Sequence, residues 1–176
     1  MTKTNLGFFF DGSAIGNPQL CGAEGILFLN ADHFISFKAG LGVGTNNLAE
    51  LYALKLLLIL ALNKQINHIQ VFGDSLLVIN WITGKFRIHN IQLAQLVQEV
   101  IRLTDCFDQA VFKHIYRERN SLADSLANDG GKVQNGLSSI SKYHGSNRHD
   151  TFGFFKTSVY GCQAERLLVW LIHFIF

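Results

Sequence analysis

Apolar and polar positions alternate along this chain with two different periods, and the changes of period mark out its elements. Residues 6–10, with three phenylalanines, are closed by Asp11-Gly12-Ser13 and predict a buried strand that stops at a turn. After a Gly-Asn-Pro turn, residues 25–29 and 34–39 predict a hairpin around Asn30-Ala31-Asp32, and residues 40–47 form a glycine-rich connection. A strong helix is predicted over 48–63. Asn47 is its natural N-cap, and Glu50 stands three residues on at capping-box spacing. Nearly every face of that helix is apolar, so it is expected to be buried on most sides. A fourth strand at 69–72 ends in Gly73-Asp74-Ser75 and leads into a short helix at 75–83. Next come a basic loop at 84–90, a helix at 91–103, a fifth strand at 111–116, and a short helix at 121–128 stopped by Gly130-Gly131.

The order is therefore three strands, a helix, a strand, two helices, a strand and a helix. Three strands joined by tight loops make an antiparallel meander, whereas strands separated by helices join a sheet in parallel through crossovers. Residues 132–161, rich in Ser, Gly, Asn and His without clear period, predict a flexible extension. The expected division is a domain at 1–131 and a C-terminal extension at 132–176, flexible or poorly ordered, with an apolar end. That end, 167–176, is about 15 Å long as a helix against a hydrocarbon core of about 30 Å, too short to span a bilayer. No transmembrane segment is expected.

Composition adds three constraints. Apolar residues make up 48% of the 176, enough for a sizeable core. Residues 1–131 hold ten Lys/Arg against eleven Asp/Glu, whereas the remainder holds five against two, so nucleic acid would have to be met by a local basic surface. Cys21, Cys106 and Cys162 lie far apart, which suggests neither a disulfide framework nor a zinc site and favours a reducing interior. The N-terminus reaches a strand-like run almost at once, leaving no room for a signal peptide. The expected location is intracellular, nucleus or cytoplasm.

The chemistry lies in the acids. Asp11 and Asp74 each follow an apolar strand, at the carboxyl edge where open α/β sheets place their ligands. Glu50 and Asp124 each fall in the first turn of a helix. Each acid has a local reading too: a capping box for Glu50, a turn for Asp11, helix-dipole compensation for Asp74 and Asp124. Four converging carboxylates, however, need a counter-charge, and Mg²⁺ supplies it through hard oxygen ligands.

The blocks DGSAIGNP, GTNNLAELYAL, GDSLLVINW and HIYRERNSLADSLAN, in this order and spacing, resemble the signatures of the ribonuclease H family. The resemblance covers about residues 5–130 and is nearest to the plant and retroelement-related branch. It implies an α/β ribonuclease H-like fold: a mixed five-stranded sheet of order 3-2-1-4-5, with strand 2 antiparallel and helices on both faces. It implies a two-metal-ion endonuclease that hydrolyses the RNA strand of RNA/DNA hybrids, using two Mg²⁺, or Mn²⁺ in their place. Asp11 would bridge both metals, Glu50 and Asp74 would hold the second, and Asp124 would complete the first. His114 matches a histidine that helps product or proton release. Asn17, Asn46 and Asn47 match positions that contact the hybrid, and Ser13 is a further candidate for contact or for orienting water. A monomer is expected, with possible descent from a larger retroelement polyprotein.

The alternative is a retroelement-derived nucleic-acid-binding domain that is catalytically weak or inactive. This chain departs from the family pattern in three places. Gln19-Leu20 replaces a glycine-proline, Glu24 stands where the related branch usually has a small residue, and Leu76 replaces a polar substrate-contacting residue. The basic handle of some relatives is reduced to Lys85, Arg87 and His89.

Overall fold

The computed structural model describes residues 7–30, 33–120, 137–144 and 148–156. Strands β1 (Gly7–Ile15), β2 (Leu20–Phe28) and β3 (His33–Val43) form the antiparallel meander. Helix α1 (Asn46–Asn63) then leads to β4 (His68–Gly73), which pairs with β1 in parallel. Helices α2 (Leu76–Ile82) and α3 (Ile91–Thr104) precede β5 (Gln109–His114), which is parallel to β4. A single 3₁₀ turn, Arg117–Arg119, follows. These five strands lie in the order β5-β4-β1-β2-β3, as the sequence predicts.

Two further strands, β6 (Leu137–His144) and β7 (Arg148–Lys156), continue the sheet beyond β3, making seven in all. Both fall in the stretch expected to be a flexible extension, and the pairing of β3 with β6 runs from His33↔His144 to Ala39↔Ser138. The expectation missed them because the sequence SSISKYH offers no sustained alternation. Strand pairing is made by main-chain groups, which any such residue carries. The expected last helix at 121–128 lies outside the described residues.

Core side chains sort by the two-residue period of the strands. Phe8, Phe10, Leu27, Ile35 and Phe37 face α1 and join one apolar cluster with Leu51, Leu54, Leu57 and Leu58. Each fully buried side chain of this size contributes roughly 1.5–3 kcal/mol. Phe9, Phe28, Phe34 and Phe72 lie outside that cluster in a row of ring contacts: Phe72 stacks on Phe9 with centroids 5.1 Å apart, Phe9 meets Phe28 edge to face, and Phe28 meets Phe34 at a tilt. Buried almost all round, α1 packs on β1, β2 and α3, whereas α3 buries only Leu96, Val97 and Val100 on one stripe. None of the described helices is long and apolar enough to cross a membrane.

Candidate active site

Three corrections to the predicted boundaries shape the site. Asp11 does not end a strand, because β1 continues to Ile15 by pairing with β2 as far as Ile15↔Leu20. The turn tendency of Asp-Gly-Ser is overruled by that partner. Pairing with β4 does stop at Phe9↔Phe72, so β1 and β4 part just before the two acids, and a cleft opens there. Second, the 40–47 connection is largely strand and helix, since β3 runs to Val43 and α1 starts at Asn46. Third, the N-cap is Thr45, whose Oγ1 accepts from Leu48 N at 3.3 Å. Asn47 is inside the helix, so Glu50 lies past its first turn and forms no capping box with it.

Glu50 meets Asp11 because Gly12 has no side chain: a Cβ there would collide with the backbone of Ala49 and Glu50. Gly73 permits a similar approach, its α-carbon lying against the ring of Phe10. Ser75 caps α2 by accepting from Val78 N at 3.4 Å, which fixes the chain just after Asp74.

Among the described residues, Asp11, Glu50 and Asp74 form a group whose ligand oxygens all lie within 4.8 Å of one another. Asp11 and Glu50 are buried, at 6% and 3% exposure. Burial, then the charges of Asp11 and Asp74, raise the Glu50 carboxyl well above the usual carboxylate range, and the Gly12 amide offsets this only in part. Gly12 N–H also donates to Asp11 Oδ1 at 2.9 Å. Glu50 Oε2 is buried with no hydrogen-bond partner among the described residues. Hard oxygen donors, mutual repulsion and an unsatisfied buried oxygen all suit a small divalent cation, which would hold all three acids ionised.

His114, the last residue of β5, donates from Nε2 to the Asp74 carbonyl at 3.1 Å, so its ring is held beside the cleft by main chain. Ser13 lies two residues beyond Asp11 on β1 and so shares its face of the strand. Asn17 is exposed in the turn between β1 and β2, while Asn46 and Asn47 stand in the first turn of α1. Asp124 lies outside the described residues.

Two features went unnoticed in the sequence. Asn120 is fully buried, and its Nδ2 donates to the carbonyl of Phe10, the residue before Asp11, at 3.5 Å. Its signal was a polar residue four positions before Asp124 in the same block. Beside α1 runs a groove of about 490 Å³ lined by Asn47, Leu77, Trp81, Lys85, Phe86 and Arg87. The exposure of Leu77 and Phe86 only becomes visible once α2 and the loop are folded.

A family model described as reverse transcriptase-like matches residues 9–130. Ribonuclease HI of Halobacterium salinarum is 33% identical over 123 residues, which are 69% of this chain and 61% of that protein. The bifunctional protein Rv2228c of Mycobacterium tuberculosis is 31% identical over 122 residues, 68% of this chain and 33% of the relative. The chain thus spans about a third of one of these curated relatives and less than two thirds of the other. The crystal structure of RNase H1 from Halobacterium salinarum matches 72% of this chain and 96% of its own, with a TM-score of 0.67 and 29% identity. LC11-RNase H1, solved in complex with an RNA/DNA hybrid, matches the same shares with a TM-score of 0.62 and 25% identity. The matched stretch holds all five strands of the 3-2-1-4-5 sheet and all three acids of the cleft, and on this ground the chain belongs to the reverse transcriptase-like family of ribonuclease H-type domains.

Proposed function

We propose that this protein is an endonuclease that hydrolyses the RNA strand of RNA/DNA hybrids with two Mg²⁺ ions, for which Mn²⁺ can substitute. The observation that carries this reading is the three-carboxylate group within 4.8 Å, held by a close helix–strand crossing that has no structural need of acids. A domain that merely bound phosphate would be harmed by such a cluster. Asp11, Glu50 and Asp74, with Asp124, would hold the ions, which when bound activate water and stabilise the leaving oxygen.

Around them the chain's own groups orient and exchange protons. His114 would move a proton at its Nδ1, a reading supported by the engagement of its Nε2 with the Asp74 carbonyl. Asn17, Asn46, Asn47 and Ser13 are assigned to the hybrid, whose A-form-like groove presents 2′-hydroxyls to amides and hydroxyls. The nuclease unit is residues 1–131, supported by the end of the family match at 130, and 132–176 is an added segment. We assign it an intracellular role as a monomer, with descent from a retroelement polyprotein.

The metal reading is tested by chelation. Hybrid cleavage should vanish with excess EDTA and return with Mg²⁺ in millimolar excess. Cleavage that persists in EDTA would overturn it.

A further inference from the structure

On the sheet face that carries Asp11, the register places Glu24 of β2 directly opposite Asp11, and Lys38 of β3 directly opposite Glu24. Opposed residues of an antiparallel pair project to the same face, with Cβ atoms about 5 Å apart. Glu24 is 4% exposed and Asp11 6%, while Lys38 is half-buried. A row of three ionisable side chains therefore crosses three strands at a place poor in water, and its inner end is the metal-ligand group. Glu24 is not itself in that group. Glu24 meets the group at Asp11, the acid opposite it in the register.

We propose that Glu24 is a positioning residue for the metal centre: its carboxylate adds negative charge behind Asp11 and strengthens the hold of the acid group on a divalent cation. The inference rests on the metal-dependent reading above. Like charges this close in a poorly solvated site repel strongly, and a cation bound at one of them relieves the repulsion. Part of the drive for metal binding is then that relief. Lys38, opposite Glu24 in the register, limits the gain, because its own charge opposes the cation.

The test is calorimetric titration of Mg²⁺ into the intact chain, with thermal melting across the same Mg²⁺ series. Glu24→Gln keeps the shape and removes the charge, and it should bind Mg²⁺ roughly three- to tenfold more weakly. Its melting temperature should also rise less on saturation. Glu24→Asp should restore most of the wild-type affinity, which a packing role would not predict. Wild-type affinity in Glu24→Gln would overturn the proposal. Should that variant not fold, Lys38→Gln should bind Mg²⁺ more tightly than wild type, and unchanged or weaker binding there would overturn it equally. A wild-type chain that binds no Mg²⁺ would instead remove the metal-site reading on which the proposal stands.

Discussion

At Gly12 the backbone of α1 passes so close to β1 that a methyl group has no room, and this crossing delivers Glu50 to Asp11. Gly12→Ala must push the helix away, so it should cost about 3 kcal/mol or more in urea unfolding and abolish Mg²⁺ binding. A variant of wild-type stability would show that the crossing is not tight. Glu50 itself makes stability depend on pH. Its carboxyl titrates higher in the folded chain than in the unfolded one. A group raised in this way contributes its full stability below its unfolded pKa, about 4.3, and loses it as pH rises through the folded value. Without metal, wild type should therefore lose stability relative to Glu50→Gln as pH climbs from about 4.3 towards neutrality, and Mg²⁺ should remove that loss. Thermal melting of both proteins across pH checks it. A difference that stays flat would mean that Glu50 is not strained in the empty cleft.

At the scale of elements, α1 is anchored to α3 by Lys55, which is 7% exposed within the apolar middle of the helix and reaches Glu99 Oε2 at 2.6 Å. Glu99→Ala leaves a buried ammonium without that partner and should cost about 1–3 kcal/mol. Lys55→Met leaves only a half-exposed carboxylate and should be nearly neutral. Equal costs in urea unfolding would argue against this asymmetry. Periodicity made α3 and the five strands legible, whereas α1 was legible as a long apolar run behind a polar cap. It misplaced strand ends where a partner strand extended them, β1 beyond Asp11, β2 back to Leu20 and β3 into 40–43, and it misplaced the start of α1 because Thr45 is the cap. Asp11, Glu50 and Asp74 were legible as separate acids from the strand ends and the motif blocks. That Gly12 brings two of them together was not, because a close approach between distant segments leaves no local pattern.

The whole molecule is a ribonuclease H-type sheet lengthened at one side by β6 and β7. The lengthening occurs at β3, with β2 between it and Asp11 on β1. Deleting residues 132–176 should therefore leave the rate of hybrid cleavage within about twofold, while uncovering the long edge of β3 and promoting association of copies through it. Light scattering and kinetics on the truncated chain check both halves. A folded truncation that no longer cuts would tie the added strands to catalysis. The central claim, that the acid cleft is a nuclease centre, is tested most directly by incubating a hybrid labelled on each strand with Mg²⁺ and either wild type or Asp74→Asn. Wild type should cut only the RNA strand and spare double-stranded DNA, and Asp74→Asn should be at least about a hundredfold slower, the scale expected when a group acting on the transition state is lost. A folded wild type that binds the hybrid without cutting it, or a variant that cuts as fast as wild type, would contradict it.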